Sequence, residues 1–152
     1  MTRGLLAAVA LTLSIAAPAR GDATRDLSVD EQRGGHTLAR HVGRSDDQLR
    51  RRLRDQTQIS AASTYTDRET AERVVGSVLQ QSADRIRSWT RRSGSRPNLA
   101  LRSIGDPRGP PIGRILERGA STPRPAHGAV VVLRWDDWQR SYYVLTSYPE
   151  NR

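Results

Sequence analysis

Residues 66–104, TDRETAERVVGSVLQQSADRIRSWTRRSGSRPNLALRSI, contain the change in hydrophobic spacing that decides the fold. As far as Trp89 the apolar residues recur every three or four positions, which is the spacing of one face of an α-helix. Residues 91–97, rich in arginine, serine and glycine, end this pattern. From Leu99 onwards apolar residues alternate, as they do in a half-buried strand. The stretch therefore predicts one long helix over 66–89, followed by β-strands.

Two capping-box patterns mark helix starts. Thr66 is followed three residues later by Glu69, and Ser45 by Gln48, so each pair offers reciprocal hydrogen bonds to the free N–H groups of a first turn. The second pair predicts a shorter helix over 45–55.

The remaining apolar segments read as short strands separated by glycine and proline breaks at 105–111 and 119–128 and by a hairpin at 136–141. We expect these strands at 59–65, 99–101, 112–116, 130–133 and 142–148. Helices followed by antiparallel strands predict an α+β domain.

The N-terminus has the pattern of an export signal. Residues 1–3 are positively charged, residues 4–17 are almost continuously apolar, and Ala17-Pro18-Ala19 supplies small residues for cleavage. We expect a signal peptide over 1–19 and export to the periplasm or medium, with 20–33 as a loose lead-in segment or a short first helix. The alternative is an uncleaved anchor, but the apolar run is shorter than the ~20 residues that span a bilayer, so stable membrane insertion is not expected.

Charge and cysteine content restrict the partners and the means of stabilisation. All 25 basic residues are arginine, against 16 acidic residues, and the formal net charge is +9. Arginine presents a planar fork of donors that matches phosphate oxygens, which favours a polyanionic partner, although many of these arginines simply solvate the surface. The chain has no cysteine, so packing alone must hold its core.

The segment GGHTLARHVG at 34–43 contains His36 and His41, two of the three histidines. Histidine is the side chain whose ordinary pKa lies nearest neutral pH, so two beside arginines indicate proton transfer on an anionic substrate. Their spacing is not the helical i, i+4 pair of zinc hydrolases, and no nucleophile elbow, phosphate loop or dinucleotide fingerprint occurs. We therefore expect no metal and no cofactor.

Four segments together resemble the bacterial RNase A-like family, known from the C-terminal toxin domains of contact-dependent growth inhibition systems. They are GGHTLARHVG at 34–43, ISAASTYTD at 59–67, GRILERGAS at 113–121 and YYVLTSYP at 142–149. The resemblance implies a domain over 34–152 with an α+β fold, N-terminal helices followed by a curved antiparallel β-sheet, similar to pancreatic ribonucleases but without disulfides. It also implies metal-independent cleavage of RNA, with tRNA among the candidate substrates, and a cognate immunity protein.

Carried over onto this sequence, the active site of the family looks like His41, Arg52, Thr146 and Tyr148, with His36 as the competing histidine. The residues themselves agree with this assignment. Arg52 lies beside the apolar face of the 45–55 helix, although its neighbours Arg50, Arg51 and Arg54 are alternatives. Thr146 and Tyr148 are two residues apart in a strand, so their side chains point to the same side, as ordinary sheet residues also do.

The sequence thus predicts an exported, metal-independent endoribonuclease, of toxin type, that cleaves RNA by transphosphorylation to a 2′,3′-cyclic phosphate. The alternative is a non-catalytic, arginine-rich module that binds nucleic acid or an anionic surface. Binding that depends steeply on salt and yields no product would identify the alternative.

Overall fold

Helices and strands divide the chain as the change in spacing predicts. The structure, a computed structural model, describes residues 23–151, so the predicted signal peptide at 1–19 lies outside the described residues. The described helices are α1 (Leu27–Gln32), α2 (Thr37–His41), α3 (Asp46–Asp55), α4 (Arg68–Gln81) and α5 (Ala83–Thr90). The described strands are β1 (Ala61–Tyr65), β2 (Leu99–Ser103), β3 (Gly113–Glu117), β4 (Arg124–Ala126), β5 (Gly128–Asp136) and β6 (Ser141–Glu150).

The strands form two antiparallel sheets of three strands each, in the orders β1-β3-β4 and β2-β5-β6. This confirms the predicted α+β fold, and β5 and β6 form the predicted hairpin. The sequence predicts only a break over 119–128, but the structure has strand β4 there, with Pro125 in it. The main core packs α1, α4 and α5 against the second sheet, and Leu49 and Leu53 of α3 pack on β1 and β3 in a smaller cluster. Within the described residues, no helix is long and apolar enough to cross a membrane.

The predicted single helix over 66–89 is wrong in one respect, because the structure divides it at Ser82. The Ser82 backbone leaves helical geometry (φ −99°, ψ 13°), and its N–H closes α4 by bonding back to Val78. Helix α5 is then held by tertiary contacts of Trp89, whose ring packs edge-on against Trp135 at 6.1 Å and donates a 2.9 Å hydrogen bond to the Pro97 carbonyl. Long-range packing therefore outweighs continuous helical spacing here.

One predicted cap is confirmed and the other is displaced by a residue. The Ser45 hydroxyl accepts from the Gln48 backbone N–H, and the Gln48 side chain accepts from the Ser45 backbone, as the capping box requires. At α4 the cap is Asp67, whose carboxylate accepts from Thr70 N–H at 2.7 Å, and not Thr66. A carboxylate at this position also interacts favourably with the positive end of the helix dipole.

Of the two alternatives for residues 20–33, a loose segment or a short helix, the structure has the short helix, α1. Leu27 is fully buried in the main core. Asp30 is also buried; it pairs with Arg25 at 2.6 Å and accepts the backbone N–H of Val144 in β6 at 2.9 Å. A buried carboxylate needs such partners, so these bonds fix α1 against the last strand.

Helix α2, which the sequence did not predict, is attached to the outer edge of β6. The backbone N–H of His36 donates to the Leu145 carbonyl at 3.0 Å, and the Thr37 hydroxyl accepts from the Ser147 N–H at 2.9 Å. Gly35 permits this approach, since a Cβ there would lie only 2.5 Å from a β6 carbonyl oxygen. The histidine segment is thereby held directly beside the strand that carries Thr146 and Tyr148.

Candidate active site

The five predicted site residues line a single cleft of about 710 Å³. Its walls come from α2, α3, β1, β3, β4 and β6 and the segments next to them. The five residues come from three separate segments of the chain, 34–43, 45–55 and 142–149, and the fold places them together: His36, His41, Arg52, Thr146 and Tyr148. Within residues 23–151, no three metal-ligand side chains converge to hold an ion.

His41 is buried at the end of α2, with 5% of its surface exposed. Its Nδ1 atom lies 3.3 Å from the Ser63 carbonyl oxygen and 3.3 Å from an Arg52 guanidinium nitrogen. Nδ1 can donate to the Ser63 carbonyl only when it carries the proton, and it can accept from the Arg52 guanidinium only when it does not. A neutral ring therefore makes one of these two bonds at a time. Burial, and then the positive charge of Arg52, lower the pKa of His41 to about 3. His41 is therefore a neutral imidazole at neutral pH.

His36 is half-buried at the N-terminus of α2, and its ring centroid lies 6.5 Å from that of His41. Burial is the main cause that lowers the pKa of His36, with a smaller contribution from the positive charge of Arg40. The carboxylate of Glu31 acts in the opposite direction and favours the protonated ring. The two histidines thus share the cleft, and His36 is the one more readily protonated.

Arg52 reaches from α3 toward α2. Its guanidinium donates to the Gln56 side-chain oxygen at 3.3 Å and to the Arg40 carbonyl at 3.4 Å, besides its contact with His41. Burial and the nearby charge of Arg40 lower the pKa of Arg52, and a guanidinium still remains cationic at any ordinary pH. These acceptors are uncharged, so an entering phosphate would be the stronger partner.

Thr146 and Tyr148 project from β6 into the cleft, as their spacing predicts. The Tyr148 ring centroid lies 5.4 Å from that of His41. In the described part of the chain, the Thr146 hydroxyl oxygen is buried and has no hydrogen-bond partner. A buried hydroxyl without a partner is costly, so a hydrogen-bonding group that reached the Thr146 hydroxyl would be bound favourably.

Ser147, between these two residues, points the opposite way and fixes the strand from behind. Its hydroxyl donates to the Val130 carbonyl at 2.8 Å and accepts from the Tyr65 hydroxyl at 2.6 Å. Burial raises the pKa of the Tyr65 phenol, so Tyr65 keeps its proton and remains a donor. This buried chain of hydrogen bonds joins β1, β5 and β6 behind the cleft.

The sequence did not indicate the far end of the cleft. Glu117 of β3 lines this end and pairs with Arg124 of β4, while Glu150, which lines another part of the cleft, pairs with Arg102 of β2. Gln58 and Ser60, which precede β1, also line this end, and Asn151 lines the cleft beside Pro125 of β4. Only the pairing register of the strands brings these residues together, so no local motif identifies them.

Acidification is expected to destabilise the fold through His41. The pKa of this histidine is about 3 in the folded protein, against about 6.5 in an unfolded chain. Between these values the unfolded state binds a proton that the folded state does not, so stability is full above about pH 6.5 and falls toward pH 3. At pH 5 the loss is about 2 kcal/mol of unfolding free energy.

Chemical denaturation at pH 5 and pH 8 measures this loss. His41→Gln removes the titrating group, so the variant should lose this component of the pH dependence. Equal pH dependence in the two proteins would contradict the assignment to His41.

Comparisons with known proteins identify the family of this chain. The family model of the bacterial CdiA-CT RNase A domain matches residues 35–149. One solved structure, described as a CdiA-CT/CdiI complex from Y. kristensenii 33638, contains a chain that is 29% identical. The match covers 76% of this chain and 99% of that chain, with a TM-score of 0.65. No curated protein matches. The chain belongs to the bacterial CdiA-CT RNase A domain family, whose members are of the toxin nuclease type.

Proposed function

We propose that this protein is a metal-independent endoribonuclease. In the proposed reaction the ribose 2′-oxygen attacks the adjacent phosphorus and the bond from phosphorus to the 5′-oxygen breaks, which leaves a 2′,3′-cyclic phosphate and a 5′-hydroxyl. The observation that carries the proposal is one cleft in which two histidines lie 6.5 Å apart beside Arg52 and the hydroxyls of Thr146 and Tyr148. These groups can supply a base, an acid and donors for a phosphate.

His41 is the proposed base, because it is neutral at neutral pH and so has a lone pair to accept a proton. When its Nδ1–H donates to the Ser63 carbonyl, the basic lone pair lies on Nε2, which then removes the 2′-hydroxyl proton. His36 is the proposed acid that protonates the departing 5′-oxygen. Burial lowers the pKa of His36, but His36 is less buried than His41, and the negative charges of Glu31 and of a bound phosphate favour its protonated form.

Arg52 and the two hydroxyls are the proposed partners of the phosphate. When Arg52 turns from Nδ1 of His41 to a phosphate oxygen, Nδ1 becomes free to donate to Ser63, which selects the reactive tautomer. Substrate binding and activation of the base are thereby coupled. Thr146 and Tyr148 donate to the non-bridging oxygens, where charge grows in the transition state.

The setting of this activity is also part of the proposal. The similar solved structure pairs a CdiA-CT domain with CdiI, and this favours a cognate immunity protein for the present chain. A net charge of +9 favours RNA, tRNA included, as the substrate and an acidic surface on that inhibitor. The N-terminal pattern at 1–19 favours export, to the periplasm or medium.

The test is incubation of the purified protein with a defined RNA, and with DNA of the same sequence, in excess EDTA. We expect cleavage of RNA alone, with cyclic-phosphate and 5′-hydroxyl ends in product analysis. Cleavage that requires added divalent metal would contradict metal independence. RNA that is retarded in a salt-sensitive way and stays intact would favour the non-catalytic binding module.

A further inference from the structure

The far end of the cleft, which contains Glu117, lies about the length of one nucleotide from His41. On β1, Ser63 contacts His41 through its carbonyl, and Ala61 is two residues further along the same face, at about 6.8 Å. On the neighbouring strand β3, Ile115 lies opposite Ser63 and Glu117 lies opposite Ala61. A ribose separates a phosphate from its base by a comparable distance, so a base attached beside the reacting phosphate reaches Glu117.

This region has the composition of a site for a flat ring with a polar edge. Ala61 and Ile115 supply apolar surface in the cleft lining. Arg124 lies opposite Ile115 on β4 and pairs with Glu117, so an acceptor and a donor stand together at the rim. Both charged side chains are more than half exposed, at 54% for Glu117 and 58% for Arg124, and a ligand can reach them.

The position of Glu117 is unexpected for a cleft that binds RNA, because a carboxylate repels phosphates. Arg124 offsets this repulsion by its charge. An ionised carboxylate is also an acceptor only. In a nucleotide the strong donors on the base edge are amino and ring N–H groups, and carboxylates read the amino group of cytosine in this way.

We propose that Glu117 and Arg124 form a nucleobase pocket for the nucleotide whose 2′-hydroxyl attacks, and that this pocket prefers a base with an exocyclic amino group to uracil. The inference rests on the proposed function for the choice of RNA as ligand. Glu117 accepts from the amino group, and Arg124 donates to the neighbouring ring or carbonyl acceptor. Cytosine and uracil are the sharpest comparison, because they have the same ring and differ on this edge.

The first experiment measures binding of cytidine 3′-monophosphate and uridine 3′-monophosphate by calorimetry. Wild type should bind the cytidine compound about tenfold more tightly, since one good contact of this kind discriminates by about that factor. Glu117→Gln keeps the shape and adds an amide donor that suits uracil, so the ratio should fall to about one. Glu69→Gln, an exposed change of the same charge on α4, should keep the wild-type ratio.

The second experiment measures cleavage of dinucleotides that differ only in a 5′ cytidine or uridine. A preference for cytidine that Glu117→Gln removes supports the pocket. An equal ratio in wild type and Glu117→Gln, by binding or by cleavage, overturns it while leaving the ribonuclease proposal intact. A cytidine preference in binding without cleavage of any RNA would instead support the pocket and overturn the proposed activity.

Discussion

His41→Gln is expected to lower kcat by a factor of about 10²–10⁴, the range that positioned proton transfer contributes. Glutamine fills much of the buried volume of the ring and still offers hydrogen bonds to Ser63 or Arg52, but it cannot accept and release a proton. The loss should therefore appear mainly in kcat, with substrate affinity largely kept. Steady-state cleavage of a fluorogenic RNA measures both quantities.

His127→Gln is the matched control for this variant. His127 lines a different cavity, of about 580 Å³, together with Arg73 and Ile104, and takes no part in the catalytic cleft. The His127→Gln variant should retain wild-type turnover. Full activity in a His41→Gln protein with an intact far-ultraviolet spectrum would exclude His41 as the base.

Arg52→Ala is expected to lower kcat/KM by a factor of about 10²–10³, the loss found when one donor to a developing negative charge is removed. Arg52→Lys should restore only part of this, because an ammonium lacks the planar fork that binds two phosphate oxygens. Arg51→Ala, at the exposed neighbouring position of α3, removes the same charge and should change the rate little.

The pH profile gives this variant a second readout. The positive charge of Arg52 lowers the pKa of His41, so its removal raises that pKa. The acid limb of kcat/KM in Arg52→Ala should move to higher pH. A lower rate with an unmoved acid limb would mean that Arg52 serves the phosphate without acting on His41.

Sequence patterns that involve only neighbouring residues predict much of this fold. The Ser45 capping box, the hairpin at 136–141 and the shared side of Thr146 and Tyr148 all depend on residues a few positions apart. Such patterns are physical properties of a single turn or strand, so the sequence displays them directly. Arg52 was likewise placed at the margin of its helix by the positions of its apolar neighbours.

The missed features depend on distant residues. Helix α2 has only five residues and no apolar repeat, and it is held by bonds to β6. The end of α4 at Ser82 has no glycine or proline to mark it, and the contacts of Trp89 hold the helix that follows. Glu117 and Arg124 enter the cleft through strand register, which a single sequence does not specify.

The attachment of α1 and α2 to β6 also bears on self-association. An open strand edge offers unpaired backbone groups to any other chain, and β6 is a ten-residue strand at the edge of its sheet. Asp30, His36 and Thr37 occupy the groups of Val144, Leu145 and Ser147 on that edge. Substitutions that detach α1 and α2 would expose the edge of β6 to pairing with another chain. The same substitutions would displace the two histidines from the cleft, so inactivation and aggregation should arise together.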